Sequence, residues 1–361
     1  MRFAPSRAAR AVGAIRAPGA ARAARPIATV ALLGALVAAC GAAATPTPVS
    51  TAAPAPAPTL TAPATATPAP APAAAYPLTL VDDEGTTVTI PSRPQRIVSL
   101  TPATTEILFA VGAGARVVAT TDFDDYPPEA VALPDVASFQ GVDVEKIVGL
   151  EADLVVAGGN DFNSPDALAK LRGLGIPVLV VYAPDVATVL KDIELVATAA
   201  GEPAAGAAMA AQMEAEIGAL GDALAAAGGT PPRVFYELDA TKEIYGPADD
   251  SFIAEMIMLA GGDPITTGSP TVFAIPLETL LAADPQVIVL GDAAYGMTPE
   301  IVAARPGWGG MAAVASGAIR PVNDVVVTRP GPRLVEGLRA LALAIDPAAS
   351  LPPGPAATAA P

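Results

Sequence analysis

The 361-residue sequence contains no histidine, which removes His-based catalytic triads, zinc-enzyme centres of the usual kind and imidazole cages for transition metals. Its one cysteine, Cys40, leaves no internal disulfide to form. Aromatic residues make up only 4% of the chain, so any place where several gather is informative. The hydrophobic fraction of 52% is inflated by alanine, and no apolar run beyond the N-terminus is long enough to span a bilayer. Basic residues are also scarce: 20 Lys and Arg face 36 Asp and Glu, giving a net charge of −16. Nucleic acid and anionic lipid are poor partners for such a body, and a basic protein surface is a good one. There is no P-loop, no Gly-x-Ser-x-Gly elbow and no nucleophile set beside an activating base, so no enzyme class has a motif to rest on.

What the N-terminus does contain is an address. Residues 1–39 carry six arginines and then the apolar stretch ATVALLGALVAA, the layout of an export signal. Val37-Ala38-Ala39-Cys40 resembles the bacterial lipobox, in which the thiol takes a diacylglycerol; the competing reading is a cysteine packed as a small hydrophobe. Loss of residues 1–39 removes no acid, so the charge moves from −16 to −22. Residues 40–75 are almost wholly Ala, Pro and Thr, a semi-extended tether from which a folded body hangs outside the membrane. Residues 347–361 share that composition and are expected to fray.

The body is built from a duplication. VEKIVGLEADLVVAG, residues 144–158, is echoed without a gap by LETLLAADPQVIVLG, residues 277–291, at an offset of 133 residues. Each copy reads as a short helix followed by an acidic corner and an apolar run that is too short for anything but a buried strand. A second echo pairs TEILFAVGAG around Glu106 with AEMIMLAGGD around Glu255. The expected fold is therefore α/β: two similar lobes with mostly parallel sheets, each with its own core, joined by one long helix, and a ligand cleft between them. The lobes span 76–185 and 230–346, with helices at 186–229 between them. Within that linker Val186 to Ala200 reads as one helix, and Pro203 to Gly228 as a second, roughly 35 Å long. That second helix reads equally as a stiff rod limiting hinge motion or as an ordinary connector packed on one lobe.

In the first lobe, Leu78 to Ile90 alternates as a hairpin, Arg96 to Leu100 is the first buried strand, and Thr101-Pro102 opens a helix. GAGARV follows a helix and not a strand, so it reads as a helix end and not as a dinucleotide fingerprint. DFDDYPPEA (122–130), ASFQG (137–141) and GGNDFNS (158–164) read as loops. Ligands of open α/β sheets sit beyond the carboxyl ends of the strands. Phe123, Tyr126, Phe139, Phe162, Tyr245, Phe273 and Tyr295 all fall in or beside such loops. Singly each is as readily a plug for its own core; as a set they suit a large, partly apolar, planar ligand. Asp122, Asp124 and Asp125 form either a hard-cation site or a solvated acidic loop. Arg329 and Arg333 stand at the mouth of the closing helix, where Arg329 meets either a ligand oxygen or a salt-bridge partner. Glu145 and Glu278 each begin a repeated helix, either complementing its dipole or facing a partner, one per lobe.

From about Leu78 to Pro347 the chain resembles the substrate-binding proteins of bacterial ABC importers for vitamin B12, iron siderophores and haem. The resemblance rests on PQRIVSLTPATTEILFAVGAG, DYPPEA, FQGVDVEKIVGLEADLVVAG, SFIAEMIMLAGG, LETLLAADPQVIVLG and RPGPRLVEGL. Within that family it looks most like the cobalamin binders. The resemblance implies a monomeric, non-enzymatic carrier with no cofactor, cobalamin being its cargo. Glu145 and Glu278 would dock onto arginines of the two permease subunits, Phe123 and Phe139 would stack on the ligand, and Arg329 would reach it from the second lobe. A tryptophan expected of B12 binders before Glu278 is replaced by Val272 and Phe273, which leaves siderophore and haem as alternatives. A corrinoid- or metal-cofactor-handling enzyme on the same scaffold and a purely structural lipoprotein are the readings from other classes.

Overall fold

A computed structural model describes residues 75–159 and 162–354. The expected signal, Cys40 and nearly all of the tether lie outside the described residues. The chain enters through an antiparallel hairpin, β1 (Leu78–Val81) and β2 (Thr87–Ile90). Its turn is closed by Asp82, whose Oδ1 accepts the Thr86 N–H at 2.7 Å, and Gly85 supplies the positive φ of 75° that the turn requires. The first lobe follows with β3 (Ile97–Ser99), α1 (Pro102–Ala110), β4 (Val117–Thr121), α2 (Pro128–Val131), β5 (Asp135–Ser138) and β6 (Gly141–Val142). It is completed by α3 (Val144–Gly149), β7 (Leu154–Gly158), α4 (Pro165–Gly173) and β8 (Val178–Val181). The six strands lie in the order β6-β5-β4-β3-β7-β8, and every pairing is parallel except β5 with β6. The ASFQG stretch, expected as a loop, is thus a two-stranded hairpin. Its signal was missed because the strands are four and two residues long, too short to show a period.

Two helices link the lobes, α5 (Val186–Ala199) and the 25-residue α6 (Pro203–Ala227). They pack closely because position 206 is glycine: a Cβ there would lie 2.4 Å from that of Ala197. The second lobe contains β9 (Arg233–Glu237), α7 (Phe252–Leu259), β10 (Asp263–Pro264), α8 (Leu277–Ala283) and β11 (Val287–Leu290). After these come α9 (Pro299–Ala303), α10 (Ala312–Ser316), β12 (Ile319–Pro321), α11 (Asp324–Thr328) and α12 (Leu334–Ile345). Its four strands, in the order β10-β9-β11-β12, are all parallel. The short helices α9, α10 and α11 carry no 3.6-residue pattern of their own and were not legible in advance.

Alternation along the central strands shows why both sheets are covered on two faces. Val155 and Ala157 join one apolar cluster with Ile147, Leu168 and Leu171, while Leu154 and Val156 join another. In the second lobe Ile288 and Leu290 face Trp308 and Met311, and Val287 and Val289 face the opposite way. That opposite cluster is shared: it runs from Ile97 and Leu154 through Val189, Ile193 and Met213 to Val234, Met256 and Leu338. Each lobe therefore has its own core on one face, and on the other face the two share a third apolar cluster. The long helix lies on α5 and contacts α12, so it is packed along its course as a connector. Among the described residues no helix is long and apolar enough to cross a membrane. The tail expected to fray at 347 is in part packed, since Leu351 rests against the shared core.

At Gly337 a Cβ would stand 1.9 Å from the Val326 carbonyl oxygen, so α12 lies against the backbone of α11. Gly337→Ala is expected to cost about 1–3 kcal/mol through overpacking. Gly309→Ala, where nothing lies within 4 Å, should not lower the melting temperature. Thermal unfolding of the two variants checks this.

Candidate functional site

Where α1, the loops after β4 and β7, and the start of α11 converge, the chain encloses an open cleft of about 590 Å³. From the first lobe it is lined by Thr101 to Thr104, Ile107, Phe123, Phe139, Gly158, Gly159, Phe162 and Val181 to Ala183. Asp192 enters from α5, and Asp324, Val325, Thr328, Arg329 and Pro330 come from the second lobe. The volume lies within the usual range of small-molecule sites.

Each wall element is held by local chemistry. Thr101 caps α1, accepting the Thr104 N–H, and the hydroxyls of Ser99, Thr101, Thr104 and Thr105 bond to one another and to the Thr101 carbonyl. The loop after β7 is pinned by Asn163, whose side chain accepts from Gly158 N at 2.7 Å and donates to the Leu100 carbonyl. That sets Phe162 at the cleft wall. Asp124 folds back on β4 through the Thr121 N–H and hydroxyl, fixing the loop that carries Phe123. Phe123 then meets Phe139, at the tip of the β5–β6 hairpin, edge to face with centroids 4.3 Å apart. Phe139 is 94% exposed at the rim of the cleft.

At the junction of the lobes lies an ion cluster. Arg329 donates to Glu106 at 2.7 Å and to Asp125 at 2.6 Å, and Arg333 donates to both Glu106 oxygens at 2.6 and 2.9 Å. Arg333 also lies 4.3 Å above the Tyr126 ring. Arg329 is thus a salt-bridged residue that also lines the cleft. In the acidic loop Asp124 accepts from Thr121 and Asp125 from Arg329; among the described residues no group of three or more metal-ligating side chains occurs.

Of the residues expected from sequence, Phe123, Phe139, Phe162 and Arg329 come together. Tyr126 stands beside them under Arg333, outside the lining. Tyr245 and Phe273 occupy neighbouring second-lobe segments, joined by the Gly246 N–H to Phe273 carbonyl bond, and Tyr295 follows β11; none of the three lines the cavity. Tyr295 is nevertheless the counterpart of Phe162 at the same 133-residue offset. Missed were Tyr182, which ends a buried strand, and Asp192. The latter left a signal, a carboxyl within the apolar stripe of Val186, Val189, Ile193 and Val196. Glu145 and Glu278 are exposed in the first turns of α3 and α8, and neither has an ion-pair partner among the described residues. Pro276 is the N-cap of α8.

Two further carboxyls are perturbed. Burial first, and then the negative charge of Asp83, pushes Asp192 up to about 8. Burial and the neighbouring Glu237 raise Asp292, while Glu237 itself is buried and held by both ends of the Arg305 guanidinium.

Residues 97–324 match the family model described as periplasmic binding protein. The chain is 32% identical over 275 residues to an uncharacterized ABC transporter substrate-binding lipoprotein, YvrC, of Bacillus subtilis, covering 75% of this chain and 86% of that one. Among solved structures it is similar to the periplasmic vitamin B12 binding protein BtuF of Vibrio cholerae, with a TM-score of 0.60 at 29% identity, covering 70% and 97% of the two chains. A periplasmic haem-binding protein, RhuT, from Roseiflexus sp. RS-1 gives 0.62 at 32% identity, with 71% and 99% covered.

The Asp192 shift has a stability consequence whose sign is fixed. The folded chain holds a proton that the unfolded chain releases near the ordinary carboxylate value, so this contribution is present at low pH and is lost as pH rises towards about 8. Asp192→Asn should therefore gain stability relative to the parent between about pH 5 and pH 8. Denaturant titrations of both proteins across that range measure it.

Proposed function

Since the chain belongs to the periplasmic binding protein family, we propose that it captures a corrinoid in the cleft and delivers it to the permease dimer of an ABC importer, anchored to the membrane through Cys40. The observation that carries this is the charge of the aromatic-walled cleft. Among the described lining residues Arg329 is the one cation, and two carboxylates already occupy it. Haem brings two propionates and many ferric siderophores are anionic, and either would need a spare positive group. A corrinoid offers a broad, partly apolar face and uncharged amide arms, which aromatic walls and neutral acceptors suit. Phe123, Phe139 and Phe162 would contact that face, while Tyr126, Tyr245, Phe273 and Tyr295 would meet parts of a large ligand beyond the cavity. The vitamin B12 binding neighbour supports the ligand class, and the substrate-binding lipoprotein relative supports both import and the anchor.

No chemistry is assigned to the site: the Thr101 and Thr104 hydroxyls are committed to local hydrogen bonds, with no base set against them. One observation favours haem instead. Tyr182, in the lining, is a side chain able to bind ferric iron as phenolate, and a haem-binding protein is among the similar structures. Titration of the purified protein with cyanocobalamin, haemin and a ferric-siderophore panel separates these readings. Cyanocobalamin is expected to bind at about 1 µM or tighter. A haemin Soret shift abolished by Tyr182→Phe, without cobalamin binding, would overturn the corrinoid assignment.

Glu145 and Glu278, one per lobe and both exposed, suit docking onto basic residues of a twofold-symmetric permease. Replacing either by alanine should leave ligand affinity within about twofold and lower transport by about tenfold or more. Loss of ligand binding in solution by either variant would make the docking role untenable.

A further inference from the structure

Asp192 occupies a position that helix periodicity reserves for an apolar side chain. It lies on the buried stripe of α5 between Val189 and Ile193 on one side and Val196 on the other, and is 4% exposed. A carboxyl retained there is costly unless its oxygens find partners, yet Oδ1 has none among the described residues. The residue nevertheless belongs to the cleft lining. The other acid of the lining, Asp324, spends Oδ1 on the Tyr236 hydroxyl at 2.7 Å and Oδ2 on the Thr328 hydroxyl. Asp192 is thus the one lining carboxyl, among the described residues, with an oxygen to spare.

The charged groups around it are Asp83, from the β1–β2 turn, and Asp185 and Lys191, from its own helix. Across the cleft lining stand Asp324 and Arg329, the latter already paired. Asp83 is itself oriented by accepting the Tyr182 N–H at 2.6 Å. Burial, and after it the negative charge of Asp83, keep Asp192 protonated at neutral pH.

We propose that Asp192 is the specificity-determining polar group of the cleft, its carboxyl accepting an N–H from an uncharged carboxamide arm of the ligand. The inference rests on the corrinoid reading and adds to it a means of choosing among corrinoids. An arm ending in a carboxylate offers no N–H and sets a negative charge against Asp83 and Asp324. Ligand closing over the site desolvates Asp192 further and raises its proton affinity, so binding takes up a proton above about pH 8 and affinity falls there.

The test uses the mature protein, cyanocobalamin, and the set of corrinoids in which one peripheral amide is hydrolysed to an acid. The parent protein should bind cyanocobalamin at least tenfold more tightly than one of these acids, with affinity declining from pH 8 to pH 9.5. Asp192→Leu should weaken cyanocobalamin by about tenfold and shrink its preference over that acid. Asp192→Asn keeps a carbonyl acceptor and cannot ionise, so it should stay within about threefold of the parent at pH 7 and lose the decline above pH 8. The Asn variant carries the test should the Leu variant not fold. Unchanged discrimination in Asp192→Leu, or identical pH profiles for Asp192→Asn and parent, overturns the inference while leaving the corrinoid reading intact. Failure of the parent protein to bind any corrinoid overturns both.

Discussion

A carboxylate buried between two guanidinium groups is costly to desolvate unless its lone pairs find donors. Glu106 meets that condition, with both oxygens bonded to Arg333 and one also to Arg329. Because Glu106 comes from the first helix of one lobe and the arginines precede and open the last helix of the other, the pair of lobes is fixed by charge at its inner seam. Glu255, the corresponding acid in the second echo of the sequence, crosses in the opposite direction and accepts the Val186 N–H at 2.8 Å, at the start of α5. An acid at that helix end also suits its dipole. Each lobe thus sends one glutamate to a group outside itself.

These two contacts and the shared apolar core constrain the cleft together. The core passes through α5, α6, α7 and α12, so rotation of one lobe against the other would shear packed side chains as well as break ion pairs. The geometry is that of a groove held by packing and charge, with exposed aromatics at its rim. The same ion cluster sets the groove's charge. Arg329 is drawn to Glu106 and Asp125, so the cavity that it lines has little net positive potential. A structural requirement at the seam therefore selects the class of ligand in the groove.

Much of this was legible in sequence wherever a period or a repeat carried it. The 133-residue echo located both lobes, and the strands following α3 and α8 appear where their apolar runs stand. Helices with strong ends, such as α1 behind Thr101 and α5 behind Asp185, begin where their caps place them. What was not legible depended on tertiary contact. The Phe139 hairpin is too short for alternation to show, and α11 exists because Gly337 lets it settle on α12. Tyr126 stands out in sequence through its aromatic-rich loop, whereas its stacking under an arginine 207 positions later depends on tertiary contact. Asp192 was visible as a break in an apolar stripe, although only its place in the cleft gives the break a meaning.

The two lobes also differ in an informative way. At the repeated outer position both copies keep an exposed glutamate at a helix start, Glu145 and Glu278. At the repeated inner position they have diverged: Phe162 lines the cavity, while Tyr295 stands 91% exposed beyond it. The glycines that end the two repeated strands have diverged in their neighbours too, Gly158 lying under Thr101 and Phe162, and Gly291 under the ring of Tyr236. Duplication alone would leave both positions alike, and drift alone would spare neither. Constancy outside with divergence inside is the pattern expected when a symmetric partner reads the outer surface and a ligand without symmetry reads the groove.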